Sequence, residues 1–471
     1  MSQPPNNLQG CNVTKSVALR LKSWSLFFMQ LISDTILEEV LQREPTFPAI
    51  FPSFGNFNLG KPSAFTSGQP FEHFKLLREQ APISWTSLPR KARGFWSLTR
   101  YDDIKTAELS PEIFSSEHGS INMAQPPKHL RFPKELFPAA MNNLINLDAP
   151  RHMELRIQQK DFFIPKFVST LTENVALKVD HLLDDVEKQA QKNGDVDFVK
   201  YFTEQLPLYT LCEMLGVDEE ERPNIVRWMH YLEMAAQVAT SPWETFKKNP
   251  TFIPRYIKNV KEMFAYGKRV MADRRARPRQ DLLTAIAQST IGDELLPQEY
   301  LDGSWLLIIF AGNDTTRNSL AGTMRLLTEF PHQKNIVLED SSLVPNMLQE
   351  SLRMISPVMH MRRTTRQETE IRGQRLGKDE KVILWYGAAN RDPDVFPDPD
   401  KFDIFRKNAT KHLAFGHGQH KCLGSRIANL QLRLAFEKIL DRFPNMHWTG
   451  EQTIGPNNFV HAITSLKVRL N

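Results

Sequence analysis

The sequence predicts a mainly α protein with small β-sheets, folded as one large domain. Three observations point there. Apolar residues recur at three- and four-residue spacing through most of the chain beyond about residue 170. Segments with strand character are short and few. Neither a repeat nor a low-complexity linker divides the 471 residues, although that length would suit three domains at roughly 150 residues each.

Taken in order, the chain opens with Leu19–Gln42, which reads as an amphipathic helix. Its most apolar stretch, Trp24–Ile32, is too short to cross a membrane and holds Ser25 and Gln30. Lys15, Arg20 and Lys22 precede it in the manner of a signal peptide. Asp34, Glu38 and Glu39 then follow where a small-residue cleavage site would stand. The helix suits docking against the domain, or peripheral contact with a membrane by residues 19–42. Residues 1–45 are therefore taken as an N-terminal extension and 46–471 as the main domain. Pro45–Ser67, rich in Pro, Phe, Gly and Ser, reads as an irregular connector. Strands are expected at Ile83–Trp85, Gly94–Leu98, Glu370–Ile371 and Lys381–Trp385. Helices are expected over Leu171–Gln189, Tyr201–Leu215, Leu306–Arg325 and Ser425–Phe443, and Asp218–Glu221 before Pro223 marks an acidic helix start. Pro254–Arg279 carries nine Lys or Arg residues against Glu262 and Asp273, and reads as a solvated basic face.

Composition narrows the function. Hydrophobic residues at 41% and charged residues at 24% exclude a disordered or fibrous chain. Three cysteines exclude a disulfide scaffold and suit a reducing compartment, so a cytoplasmic location is expected. The net charge of +5 is too small to predict nucleic-acid binding. Thirty-one prolines against 21 glycines imply many loops and helix starts at fixed places.

The most informative segment is Phe415–Gly424, FGHGQHKCLG. Cys422 follows two glycines and precedes a helix, where free N–H groups and the positive end of the helix dipole favour thiolate over thiol. Gly416 and Gly418 let the backbone turn tightly, and Gly424 keeps one face of the first helical turn bare. A thiolate held this way suits a nucleophile, a metal ligand or an axial haem ligand. Zinc would need further cysteines beyond His417 and His420.

The pattern Phe-Gly-x-Gly-x-His-x-Cys-x-Gly resembles the haem-binding loop of the cytochrome P-450 superfamily, the haem-thiolate monooxygenases. The resemblance implies a single fold enclosing haem b, with Cys422 as the metal ligand. It implies that Phe415 shields the sulfur, that His420 meets a haem propionate, and that Gly416 and Gly424 belong to the same cradle. Ala311-Gly312-Asn313-Asp314-Thr315-Thr316 is similar to the family's central helix. There Ala311 and Gly312 would lie against the haem, Thr315 would bond dioxygen or its water, and Asp314 would relay protons. On the residues alone, a threonine bonding to the preceding turn explains the hydroxyl equally well.

Glu350-Ser351-Leu352-Arg353 places a carboxylate and a guanidinium on one helix face. It resembles the family's buried Glu-x-x-Arg pair. The third partner is open, because Lys401 stands where an Arg is usual; Arg391 and Arg406 are alternatives. Asp148-Ala149-Pro150-Arg151-His152 through Arg156 resembles the family's Asp-x-Pro-x-His-x-x-x-Arg, whose His and Arg, here His152 and Arg156, clamp propionate. Arg362 or Arg363 would add a third clamp. The expected substrate pocket is apolar: Ile308 on the central helix and Val358, Met359 and Met361 beyond the Glu-x-x-Arg helix.

The Asp314–Thr315 pair argues for dioxygen activation. Ala311–Ser319, Met361–Thr364 and Trp385–Asp392 resemble bacterial subgroups acting on alkanes and fatty acids, and with the apolar pocket the resemblance implies a monooxygenase acting on a hydrophobic, lipid-like substrate: an alkane, fatty acid, terpenoid or sterol side chain. A peroxide-using or non-turnover haem protein is the alternative. No flavin- or nicotinamide-binding glycine fingerprint appears, so electrons are expected from separate proteins, a ferredoxin and its reductase. Lys411, Lys421 and Arg426 would form a basic docking face for them.

Overall fold

Short runs of β-branched and aromatic residues form the sheets of this computed structural model, which describes residues 44–50, 52, 57–88, 93–121, 123, 134–233, 249 and 251–471. The strands discussed below are Ile83–Thr86 (β1), Phe95–Leu98 (β2), Phe114–Ser115 (β3), Val196–Asp197 (β4), His360–Thr365 (β5), Lys381–Trp385 (β6), His447–Ile454 (β7) and Ile463–Arg469 (β8). One sheet runs β1-β2-β6-β5-β3 and a second runs β7-β8-β4. In the first, β6 pairs parallel to β2 and antiparallel to β5, with Val382 opposite both Trp96 and Arg363. Every residue of β2 is buried, as expected of a strand covered on both faces.

Ten helices frame the site: Tyr101–Leu109 (α1), Arg151–Gln159 (α2), Thr172–Asn193 (α3), Gln205–Leu215 (α4), Phe252–Ala276 (α5), Gln298–Ala311 (α6), Asp314–Glu329 (α7), Val344–Ile355 (α8), Tyr386–Ala389 (α9) and Ser425–Arg442 (α10). Their apolar stripes close one large core that includes Leu206, Trp305, Leu320 and Phe436. Trp305 is fully buried, and its indole N–H donates to the Met263 carbonyl at 3.0 Å. A buried Trp keeps such a partner because an unpaired donor would be costly.

Within the described residues the expected helices and strands are present, with two differences. The helix expected over Leu306–Arg325 is two helices, α6 and α7, parted at Gly312 and Asn313. Asn313 has φ −107° and ψ −61°, away from regular helix geometry. The sequence does not predict β3 and β4, of two residues each, nor β5, β7 and β8. The polar HMRRTT and HWTGEQTI runs hide β5 and β7, and β7 also carries an irregularity between Trp448 and Gln452. On the basic helix α5, Arg255, Lys258 and Lys261 are exposed, while Tyr256, Phe264 and Tyr266 lie in the core. The aromatic residues are thus not interleaved with the exposed cations. The helix expected over Leu19–Gln42 lies outside the described residues. Among the described residues, no helix is long and apolar enough to cross a membrane.

Candidate active site

The cysteine loop is shaped by two residues in the left-handed region, Gly416 at φ 65° and Gly418 at φ 63°. Only glycine enters that region without strain. At Gly418 a Cβ would also come 2.5 Å from the Glu108 carbonyl oxygen, because the loop lies directly on α1. The turn closes on itself where the Cys422 N–H donates to the Phe415 carbonyl at 2.8 Å. The backbone N–H groups of Gly424 and Ser425, at the start of α10, point to the Cys422 sulfur. These amides, with Arg156 and Lys421, pull its pKa down, but burial outweighs them and pushes the thiol up. The dipole argument from sequence counted the amides and missed the desolvation. Protein atoms surround Cys422 densely, yet its own surface is exposed. A Cβ at Gly424 would meet no described atom within 4 Å.

Beside the cysteine, donors converge: His152 and Arg363 are buried, and Arg156 and His420 half-buried. On α2, the four-residue spacing of His152 and Arg156 brings both to one face. The His152 ring lies 4.1 Å from the His420 ring, and His420 Nε2 is 3.2 Å from Ser116 Oγ. Arg156 Nη2 donates to the Lys421 carbonyl at 2.6 Å. His152 Nδ1 is buried without a partner among the described residues. Burial pushes His152 down to about 4, aided by the Arg156 charge. Burial, Arg363, His152 and Arg156 push His420 lower still. Both rings are therefore neutral N–H donors near pH 7, while the arginines carry the charge.

Strand alternation separates the two candidate arginines of β5. Arg363 is electrostatically coupled to both histidines. Arg362 turns the other way, towards Gly119, with Nη2 3.2 Å from Thr364 Oγ1. Asp148 anchors the neighbouring segment: its Oδ1 accepts the Ser116 N–H at 2.9 Å, and its Oδ2 accepts the Ser115 hydroxyl.

The helix break brings the acid and the alcohol together at the start of α7. Thr315 Oγ1 donates to the Ala311 carbonyl at 3.3 Å, and Asp314 lies 3.3 Å from the Arg317 guanidinium. Ala311 and Thr315 keep accessible surface in the middle of the fold, whereas the missing side chain of Gly312 faces Leu211 on α4. Asn318 bridges α7 to β8: it donates to the Asp314 carbonyl at 2.7 Å and accepts the Ile463 N–H at 2.8 Å.

Of the expected pocket residues, Ile308, Val358 and Met361 are half-buried, while Met359 sits in the core with Phe74 and Trp385. Sequence reading passed over Phe310 and Phe459, whose rings stack 6.3 Å apart. Phe310 immediately precedes Ala311, which was the available signal.

Glu350 and Arg353 are both fully buried and paired twice, Nε to Oε2 and Nη2 to Oε1, each at 2.7 Å. The third partner is Arg406, whose Nε donates to Oε1 at 2.9 Å. Arg391 pairs with Asp400 instead, and Lys401 pairs with Asp398 at 2.8 Å. On the outer side of the cysteine loop, a cavity of about 560 Å³ is lined by Tyr101, Lys105, Lys411, Phe415, His417 and Lys421, among others.

Comparison with known proteins identifies a family and its fold. The family model described as Cytochrome P450 matches residues 130–460. The chain is 30% identical to linalool 8-monooxygenase of Pseudomonas putida, over 88% of this chain and 98% of the relative. It is 31% identical to a methyl-branched lipid omega-hydroxylase of Mycobacterium tuberculosis, over 84% and 90%. It is 28% identical to a steroid C26-monooxygenase of Rhodococcus jostii, over 88% and 84%. Among solved structures, a Mycobacterium marinum cytochrome P450 in complex with pseudoionone superposes with a TM-score of 0.78, at 28% identity over 90% of this chain and 99% of that one.

Proposed function

This chain belongs to the cytochrome P450 family, and we propose that it is a monooxygenase hydroxylating a hydrophobic, lipid-like molecule near one end of its carbon skeleton. The observation that carries this reading is the position of Cys422. The sulfur sits at the start of α10, where the Gly424 and Ser425 N–H groups and Arg156 favour its thiolate, and Arg156 belongs to a donor cluster with His152, His420 and Arg363. That donor set fits haem b: one thiolate for the metal, and neutral or cationic N–H groups for two propionates. The unpartnered His152 Nδ1 and the open face of Gly424 fit the edge and the plane of the same group.

Bound there, haem supplies dioxygen activation and O–O cleavage, favoured by thiolate ligation. The protein's own residues do the rest. Arg156, Arg363 and the two histidines hold and orient the group. Asp314 takes protons from solvent and Thr315 hands them on from its hydroxyl, at the one bend in the central helix. Ile308, Val358, Met361 and the Phe310–Phe459 pair offer an apolar wall to the substrate. The names of three relatives point to a linalool, a methyl-branched lipid and a steroid, with "omega", "8" and "C26" giving the positions. They support a long apolar substrate attacked towards one end. Electrons arrive from separate redox proteins, for which we take a ferredoxin and its reductase, docking at Lys411, Lys421 and Arg426. Residues 46–471 form the catalytic domain in this reading.

The decisive experiment is the carbon-monoxide difference spectrum of the reduced holoprotein, followed by turnover of alkanes, fatty acids, terpenoids and sterols. A strongly red-shifted band that Cys422→Ser abolishes is expected. Its absence in fresh wild-type protein would overturn the reading, and turnover confined to small polar compounds would overturn the substrate class.

A further inference from the structure

We propose that Glu108 is a positioning residue whose proton is coupled to the electron the cofactor receives, an inference that rests on the haem-thiolate reading above. Glu108 lies in α1, under the cysteine loop, and none of the roles described so far uses it. Its Oε1 accepts a hydrogen bond from the Tyr386 hydroxyl of α9 and lies 3.8 Å from the Arg363 guanidinium. The backbone N–H of His417 also favours the charged form of its carboxyl. Oε2 is buried with no partner among the described residues. A Cβ at Gly416 would come within 3.5 Å of Oε1, so the carboxyl touches the loop that carries Cys422.

Glu108 thus joins two parts of the site. One contact reaches the loop backbone at Gly416 and His417, and the other reaches the arginine beside the two histidines. The titratable and charged groups facing it are Tyr101 on its own helix, Tyr386 on α9, Arg363 on β5 and His417 on the loop.

The coupling follows from charge. As a carboxylate, Glu108 offsets the positive charge of Arg363 and leaves the cofactor region more negative, which disfavours an incoming electron. As a carboxylic acid, it leaves Arg363 at full charge, which favours that electron. Burial pushes the carboxyl up to about 7, against the opposing pull of Arg363 and Tyr386. Both forms are therefore populated near neutral pH. In the balanced step, one electron passes from the redox partner to the cofactor. At most one proton passes from solvent to the Glu108 carboxylate, and no covalent bond to the cofactor forms or breaks. The cavity lined by Gly416 and His417 gives solvent a route to this side of the loop.

The test is the reduction potential of the holoprotein, measured spectroelectrochemically across the pH range around neutrality. In the wild type the potential should fall as pH rises through neutrality. In Glu108→Gln the fall in that window should vanish, with the potential held near the wild-type value at low pH. In Tyr386→Phe the carboxylate loses a donor, so the transition should move to higher pH. This second variant decides the matter if Glu108→Gln does not assemble. The carbon-monoxide band, recorded on the same samples, keeps the two readings apart. If the wild type lacks it, the haem-thiolate reading fails. If it is present throughout and both variants trace the wild-type curve, Glu108 has no such coupling and the inference falls.

Discussion

Arg406 Nε and Arg353 Nη2 donate to the same oxygen, Glu350 Oε1, at 2.9 and 2.7 Å. Arg353 also donates to the carbonyls of Asn390 and Pro399, and Arg406 to that of Pro397. Three charges therefore fasten α8 to the segment leading into the cysteine loop. Removing one member of a buried ion pair costs about 3–5 kcal/mol, since the remaining charge stays buried. Glu350→Gln should destabilise the protein by that order in denaturant unfolding. Arg406→Ala should cost less, because Arg353 still covers the carboxylate. A Glu350→Gln protein as stable as wild type would refute the trio's role.

The division of labour in β5 gives a paired prediction. Arg363→Ala should weaken cofactor retention by roughly 10- to 100-fold, the size of a lost charge-assisted hydrogen bond. Arg362→Ala should lose less, since its guanidinium faces Gly119 and Thr364. Transfer of haem to a competing apoprotein measures both. A larger loss in Arg362→Ala would reverse the assignment.

At the helix bend, Thr315→Ala should keep electron consumption while lowering the product formed per electron pair. Asp314→Asn should slow turnover by about 10²-fold or more, in the range of a lost proton donor. Product and electron use, titrated together, separate the two. Full coupling in Thr315→Ala would leave its hydroxyl with no part beyond its bond to Ala311.

Buried titratable groups predict a pH profile. Burial pushes His360, His412 and His461 down to about 4. The unfolded chain therefore binds more protons than the folded one between pH 4 and about 6.5, and stability falls as pH drops through that window. Glu108, pushed up to about 7, has the opposite sign: it loses stability as pH rises from about 4.5 to 7, by about 3 kcal/mol in total. Glu108→Gln should steepen the acid loss of unfolding free energy by about one proton. An unchanged slope would show that Glu108 titrates as an ordinary carboxylate.

Lys421 is exposed at the rim of the outer cavity. Lys421→Glu should slow electron delivery by an acidic ferredoxin, by up to about tenfold, and added salt should shrink the effect. Salt-independent kinetics identical to wild type would move the docking face elsewhere.

Much of this was legible in the sequence because local chemistry fixed it. Gly416, Gly418 and Cys422 carry a backbone path and a ligand in one short run, and Glu350 and Arg353 need only helical spacing. What stayed hidden depends on distant chain segments. No local pattern chooses Arg406 over Arg391 for Glu350, or Arg363 over Arg362 for the histidines. Those choices come from loop return and strand register. Glu108 reads as one more helix-surface acid until the fold lays Tyr386, Arg363 and Gly418 over it. The helix bend was invisible for another reason: Gly312 and Asn313 are compatible with a straight helix, and the periodicity runs through them.

The Glu350 trio also has a consequence in time. Its first two members are made together, and the third follows 56 residues after Glu350. At the usual 5–20 residues per second, roughly 3–11 s of synthesis separate them. During that interval the carboxylate of Glu350 has Arg353 alone, and the cysteine at 422 has not yet been made. The cysteine loop therefore cannot take its place beside α2 and β5 until Cys422 itself has been synthesised, well after the Glu350–Arg353 pair has been made.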